Sequence, residues 1–183
     1  MLIDRNDSTL LLIDLQEKLI KKIFDFKSVI DHSKKIVDVF SFLKIPIVYS
    51  EQYPNGLGKT IDSIDDKLKK IKALKIEKTT FSCISDINDN EIRKIFPKNQ
   101  IIICGIETHI CILQTSIDLY NKGYEVFVIE EAVGSRDERH KSLAIERLMK
   151  CGISLINFEM LVFELIRDSK DESFKELSKY ITR

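Results

Sequence analysis

Two segments, STLLLID at 8–14 and QIIIC at 100–104, are almost unbroken apolar runs. A strand with one wet face alternates apolar and polar residues, whereas a strand covered on both faces has no need to. Both runs therefore read as buried strands of a parallel sheet. Parallel neighbours cannot be joined by a tight turn and need long crossovers, most often helices. The intervening sequence supplies them. Residues 15–43 place Leu19, Ile23, Phe26, Ile30, Ile36, Val37, Phe40 and Leu43 at helical intervals, with a break near Asp25. Residues 45–49 form a second strand with Pro46 at its entrance, where no ladder donor is lost. A charged helix over 62–72, a short strand over 75–78 and a helix over 88–96 follow. Beyond the central strand come a helix over 109–122 closed by Gly123, a strand over 124–130, a helix over 138–150, a strand over 153–158 and a helical tail. This alternation predicts an α/β fold, with a mainly parallel sheet and helices on both faces, as one domain over 1–183.

Charge narrows the function. Lys plus Arg and Asp plus Glu number 29 each, a formal net charge of zero. No global excess draws the chain to nucleic acid or to a membrane surface. The lysine-rich piece 67–78 reads as a solvated helix face. No apolar stretch reaches membrane-spanning length, and no signal-peptide pattern opens the sequence. Cys83, Cys104, Cys111 and Cys151 form no CxxC pair and no zinc-type spacing. Free thiols in a reducing, cytoplasmic protein are expected, with no metal and no cofactor.

In open parallel sheets ligands bind beyond the carboxyl ends of the strands. Polar residues ending strands are therefore the candidates: Asp14, Glu51 and Gln52, Lys78, then Glu107, Thr108, His109 and Cys111, then Glu131 and Ser135. Cys111 sits where a helix opens, close to unpaired backbone N–H groups and the positive end of a helix dipole, which favours thiolate. With Asp14 as base and Lys78 as the balancing cation, such a thiol can attack an acyl carbon. On the residues alone the other readings stand beside this one: Cys111 as packing, Asp14 as a helix cap, Lys78 as a surface lysine. Cys104, Cys151 and Cys83 read as packing, with lining of the pocket after the Lys78 turn the lesser alternative for Cys83. His109, two residues before Cys111, is expected to face away from it.

The segments LLIDLQ at 11–16, EKTTFS at 77–82 and GIETHICILQTSIDLYNKGYEV from Gly105 resemble the isochorismatase-like cysteine hydrolase superfamily. The loop EQYPNGLGKT, the stretch GSRDERHKSLAIERLMKCGI and the tail SFKELSKYI resemble its small branch of isochorismatase-domain-containing proteins. The resemblance implies a Rossmann-like three-layer α/β/α sandwich, a catalytic triad of Asp14, Lys78 and Cys111, and a cis peptide between Ile106 and Glu107. That bond would aim the Glu107 N–H, with that of Cys111, into an oxyanion hole. Gln16, Tyr53, Phe81 and Thr108 are the candidate substrate contacts, Phe81 being the one whose type favours the core. Nicotinamidases of the superfamily hold a metal through a loop with an Asp and two His. The matching loop here, SEQYPNGLG, has neither residue type. The implied activity is hydrolysis of a small-molecule C–N bond, amide, ureido or imide. Vinyl ether hydrolysis and a non-catalytic oligomeric module are the alternatives. A homo-oligomer is expected, a dimer or larger, with the helix over 159–166 either meeting a partner or closing the chain's own sheet.

Overall fold

The computed structural model describes residues 1–181. Six strands form one parallel sheet: β1 (Ser8–Ile13), β2 (Ile47–Gln52), β3 (Leu74–Lys78), β4 (Gln100–Ile106), β5 (Glu125–Gly134) and β6 (Ser154–Ile156). Their order across the sheet is β3-β2-β1-β4-β5-β6. Both apolar runs lie at its centre, and every residue of β1 and of β4 is buried. Alternate residues feed two separate cores. Leu10 and Leu12 of β1 point to one face, and Leu11 and Ile13 to the other.

On the first face α2 (Phe26–Phe42), α4 (Asp62–Lys70) and α8 (Phe158–Ile166) pack over the sheet. On the second lie α5 (Asp89–Ile95), α6 (Leu113–Asn121) and α7 (Glu138–Lys150). The result is the expected α/β/α sandwich. Two short helices, α1 (Glu17–Ile20) and α3 (Pro54–Leu57), lie in the loops after β1 and β2, and α9 (Phe174–Leu177) lies near the end. The predicted break in the first long helix is a five-residue turn ending at Asp25, whose φ is +48°.

Three features differ from expectation. β2 runs on to Gln52 because β3 pairs with it there, Glu51 against Glu77 and Gln52 against Lys78. Residues read as loop are thereby drawn into the ladder. β5 likewise extends to Gly134, after a register shift opposite Ile103 to Gly105. The helix expected over 109–122 begins instead as a π-helical turn, Thr108–Ile112, and becomes α6 at Leu113. Such wide turns are rare and gather at functional sites.

Gly105 fixes how closely β4 approaches β1. Its φ is +122°, and a Cβ there would fall 2.1 Å from the carbonyl oxygen of Ile13. The residue after Ile13 is Asp14, so glycine at 105 lets two strand ends that carry polar residues come together. α8 closes the chain's own sheet with Phe158, Leu161, Val162, Leu165 and Ile166, while leaving Met160 and Phe163 about half exposed. Among the described residues no helix is long and apolar enough to cross a membrane.

Candidate active site

The strand order reverses between β1 and β4, the place where a doubly wound sheet opens a crevice at its carboxyl rim. Asp14 stands just past β1 with φ +52° and is 1% exposed. Its Oδ2 accepts from Lys78 Nζ at 2.7 Å and its Oδ1 from Ser50 Oγ at 2.7 Å. Lys78, the last residue of β3, reaches across β2 to make that contact. Its ammonium also donates to Gln52 Oε1 at 2.6 Å and to the Phe81 carbonyl at 3.2 Å. Gln52 is held in turn by donating to the Thr79 carbonyl at 2.6 Å. A buried ion pair loses hydration on both sides, and good geometry with extra hydrogen bonds is what offsets that cost. Both are present here.

Cys111 lies in the π-helical turn, 7% exposed, near enough to the Asp14 carboxylate for that charge to act on its thiol. Burial pushes that thiol well above its ordinary range, the Asp14 charge pushes it further, and Lys78 pulls it back only in part. The resting group is a neutral thiol. This corrects the expectation of a thiolate favoured by a helix end, because lost hydration and the nearby Asp14 charge outweigh a partial charge at a turn that is not yet α-helix. Burial lowers the Lys78 ammonium, but Asp14, Cys83 and Cys111 raise it by more, so it stays charged.

Cys83 is part of this neighbourhood. It is 2% exposed, its backbone N–H donates to Thr115 Oγ1 at 3.0 Å, and burial with the Asp14 charge pushes its thiol up to about 11. A cleft of 430 Å³ runs past Tyr53, Lys78, Thr80 and Cys83 and opens to solvent. It reaches the ion pair at Lys78, and Cys111 is not among its lining residues.

The peptide bond between Ile106 and Glu107 is cis. The Glu107 carboxylate is nearly buried and is gripped by Arg136, through Nε at 3.1 Å, Nη2 at 2.5 Å and the backbone N–H at 3.2 Å. Burial raises that carboxyl and the Arg136 contacts lower it by more, leaving it below the usual range. His109 Nδ1 lies 2.9 Å from Ser135 Oγ, and its ring meets that of His140 at 4.8 Å. His109 thus faces the loop before α7, as its spacing predicts.

The candidate substrate contacts divide. Tyr53 is 55% exposed and lines the cleft. Phe81 is 54% exposed, not core as its residue type predicts, and lies outside the cleft lining. Thr108 is fully buried, with no hydrogen-bond partner for its hydroxyl among the described residues. Gln16 is corrected outright. Its amide is buried and taken up by backbone, donating to the Gln52 and Gly58 carbonyls at 2.9 and 2.6 Å and accepting from the Gln52 N–H at 2.7 Å. It fastens the loop after β2 and has no donor left for a ligand. Glu51 is likewise spent on Thr60. Ser50, Thr115 and Arg136 join the neighbourhood without being among the sequence candidates. Ser50 had a signal, since it stands near the carboxyl end of an apolar strand. The Arg136 contact has none, because it depends on how two loops meet. Among the described residues no three His, Cys, Asp or Glu side chains group closely enough to hold a metal ion.

A family model described as the isochorismatase domain matches residues 8–160, spanning every element that builds this site. The chain belongs to the isochorismatase family. Isochorismatase family protein 1A of Dictyostelium discoideum is 34% identical over 94% of this chain and 84% of its own length. Isochorismatase domain-containing protein 2 of Danio rerio is 34% identical over 95% and 86%. Among solved structures, one titled MAR1 ribonuclease from Caenorhabditis elegans superposes with a TM-score of 0.90 at 32% identity, covering 99% of this chain and 92% of that one. The family fold is that of a hydrolase, and its membership places this chain among hydrolase-like proteins.

Proposed function

We propose that this isochorismatase-family protein is a cysteine-dependent hydrolase of a small-molecule C–N bond, amide, ureido or imide. The observation that carries the reading is the buried Lys78–Asp14 pair at 2.7 Å, with the Cys111 thiol within the electrostatic reach of both charges. A thiol held neutral beside its own base needs no standing thiolate, because the proton can move as the substrate arrives. Asp14 takes the thiol proton while sulfur attacks the acyl carbon. The developing oxyanion is met by the N–H groups of Glu107 and Cys111, a contribution of about 2.7–4 kcal/mol per donor in comparable sites. The tetrahedral intermediate then expels the nitrogen, which leaves with the proton from Asp14. Water, deprotonated by Asp14, opens the thioester and releases the acid, restoring the thiol. Lys78 keeps Asp14 ionised between the two halves of the reaction and orients it. Tyr53, on the cleft wall, is the proposed substrate contact on the solvent side.

A small substrate fits the burial of the three groups better than a polymer does. The likeness to a structure titled ribonuclease favours a second reading, hydrolysis of RNA, which enters the test directly. Wild type and Cys111→Ala are screened against nicotinamide, small amides, ureido acids, cyclic imides, a vinyl ether and single-stranded RNA. The proposal requires turnover of a C–N substrate that Cys111→Ala loses. Turnover of RNA alone, or C–N turnover that survives Cys111→Ala, overturns it. A cytoplasmic homo-oligomer completes the reading, with exposed Met160 and Phe163 as the contact face. A mass of 21.3 kDa by light scattering would end the oligomer.

A further inference from the structure

At the opposite, amino rim of the sheet, a cleft of 510 Å³ opens between the starts of β2 and β3 and the end of α5. Three lysines from three elements line it: Lys44 from the turn after α2, Lys72 from the turn before β3, and Lys94 from α5. No acidic residue lines it. Among the described residues none of these three has an ion-pair partner, whereas Lys59, Lys67, Lys69 and Lys75 are all paired. Apart from Ser41, the rest of the lining is aliphatic. Ile47 is buried in its floor, while Ile71 and Leu74 are 37% and 48% exposed.

We infer that this cleft binds an amphipathic anion, an aliphatic body carrying one carboxylate or phosphate head. Three unpaired cations around one concavity repel one another, and an anion removes that repulsion. Exposed aliphatic side chains gain by covering, and the volume falls within the range of small-ligand sites. The lining has no aromatic ring, so it offers no platform on which a base would stack, which argues against a nucleic acid strand. Zero net charge for the whole chain hides this rim, because the compensating acids lie elsewhere.

Calorimetric titration of the full chain at low salt tests the site with four probes: decanoate, decyl phosphate, decanol and acetate. Decanoate or decyl phosphate binds with one-to-one saturation below its micelle concentration, and the better of the two names the head group. Decanol, lacking charge, and acetate, lacking the body, bind roughly tenfold more weakly or worse. Lys72→Gln/Lys94→Gln loses roughly tenfold for the anions and nothing for decanol, since two exposed ion pairs are removed. Leu74→Asp weakens every probe that has an aliphatic body, and circular dichroism melting confirms that each variant is folded. Cys111→Ala binds as wild type does, which separates this cleft from the proposed catalytic site. The inference is overturned if decanol equals decanoate, if the double lysine variant binds anions undiminished, or if no probe binds. Retention on anionic vesicles without binding of free anion would overturn it in favour of a membrane surface.

Discussion

At the carboxyl rim Lys78 is buried, shares its charge with Asp14 and makes further hydrogen bonds to Gln52 and the Phe81 carbonyl. At the amino rim Lys44, Lys72 and Lys94 stand at the surface with no ion-pair partner among the described residues. The two sites are built from the same residue type on the same sheet, and burial makes them opposite in kind. A buried lysine must be paired or it neutralises; an exposed one is solvated at little cost. Stability and chemistry therefore concentrate at one rim, while the other keeps its charge available for something outside the chain.

Variants at the two rims should respond accordingly. The largest effect is on turnover: Cys111→Ala is expected to reduce kcat at least about 10³-fold on whichever C–N substrate the screen finds, with the melting curve little changed. Lys78→Met strands Asp14 without its cation and should cost about 3–5 kcal/mol in denaturant unfolding. If that loss were under about 1 kcal/mol, the pair would be no more than a surface bridge and the contrast between rims would fail. Gly105→Ala drives a Cβ into the Ile13 backbone at positive φ, and a loss of about 2–5 kcal/mol is expected, measured the same way.

The pH dependence sharpens the contrast further. Cys111, Lys78, Cys83 at about 11 and Cys104 at about 12 are all raised, Cys104 by burial. A raised group holds its proton longer when folded, so its stabilisation is complete below its unfolded pKa and is lost as pH rises through the folded one. The thiols start from 9.0, so the melting temperature should fall progressively above about pH 9, and Cys83→Ser should flatten the fall. A melting temperature constant from pH 8 to about 11 would contradict the burial of these thiols. The smallest effect belongs to the amino rim. Lys72→Gln/Lys94→Gln should shift stability by no more than about 0.5 kcal/mol per site, in keeping with charges that support nothing in the folded chain.

Much of the fold is legible in residue order. The two apolar runs fall on β1 and β4, the central strands, and α7 spans 138–150 as its periodicity predicts. Misplaced boundaries share one cause. β2 and β5 extend past their apolar runs because a neighbouring strand supplies hydrogen bonds there, and such pairing leaves no mark in local composition. At the site, Asp14, Lys78 and Cys111 are chemically conspicuous at strand ends, so sequence could nominate them. Gln16 is equally conspicuous beside Asp14, and only the path of the loop after β2 shows that backbone consumes its amide.

What the sequence determined by itself is the class of the fold and the identities of the reactive groups. Apolar period and run length decide which segments must be covered on both faces, and side-chain chemistry travels with the residue. Tertiary structure alone decided the charge states and the company each group keeps. Cys111 is a protonated thiol and Lys78 a paired cation because of how much water the fold removes and which oxygen it brings near. The lysines of the amino rim converge on one cleft because two separate turns and the end of α5 meet there. Both are properties of distance and dielectric, which a linear sum of 29 positive and 29 negative charges does not contain.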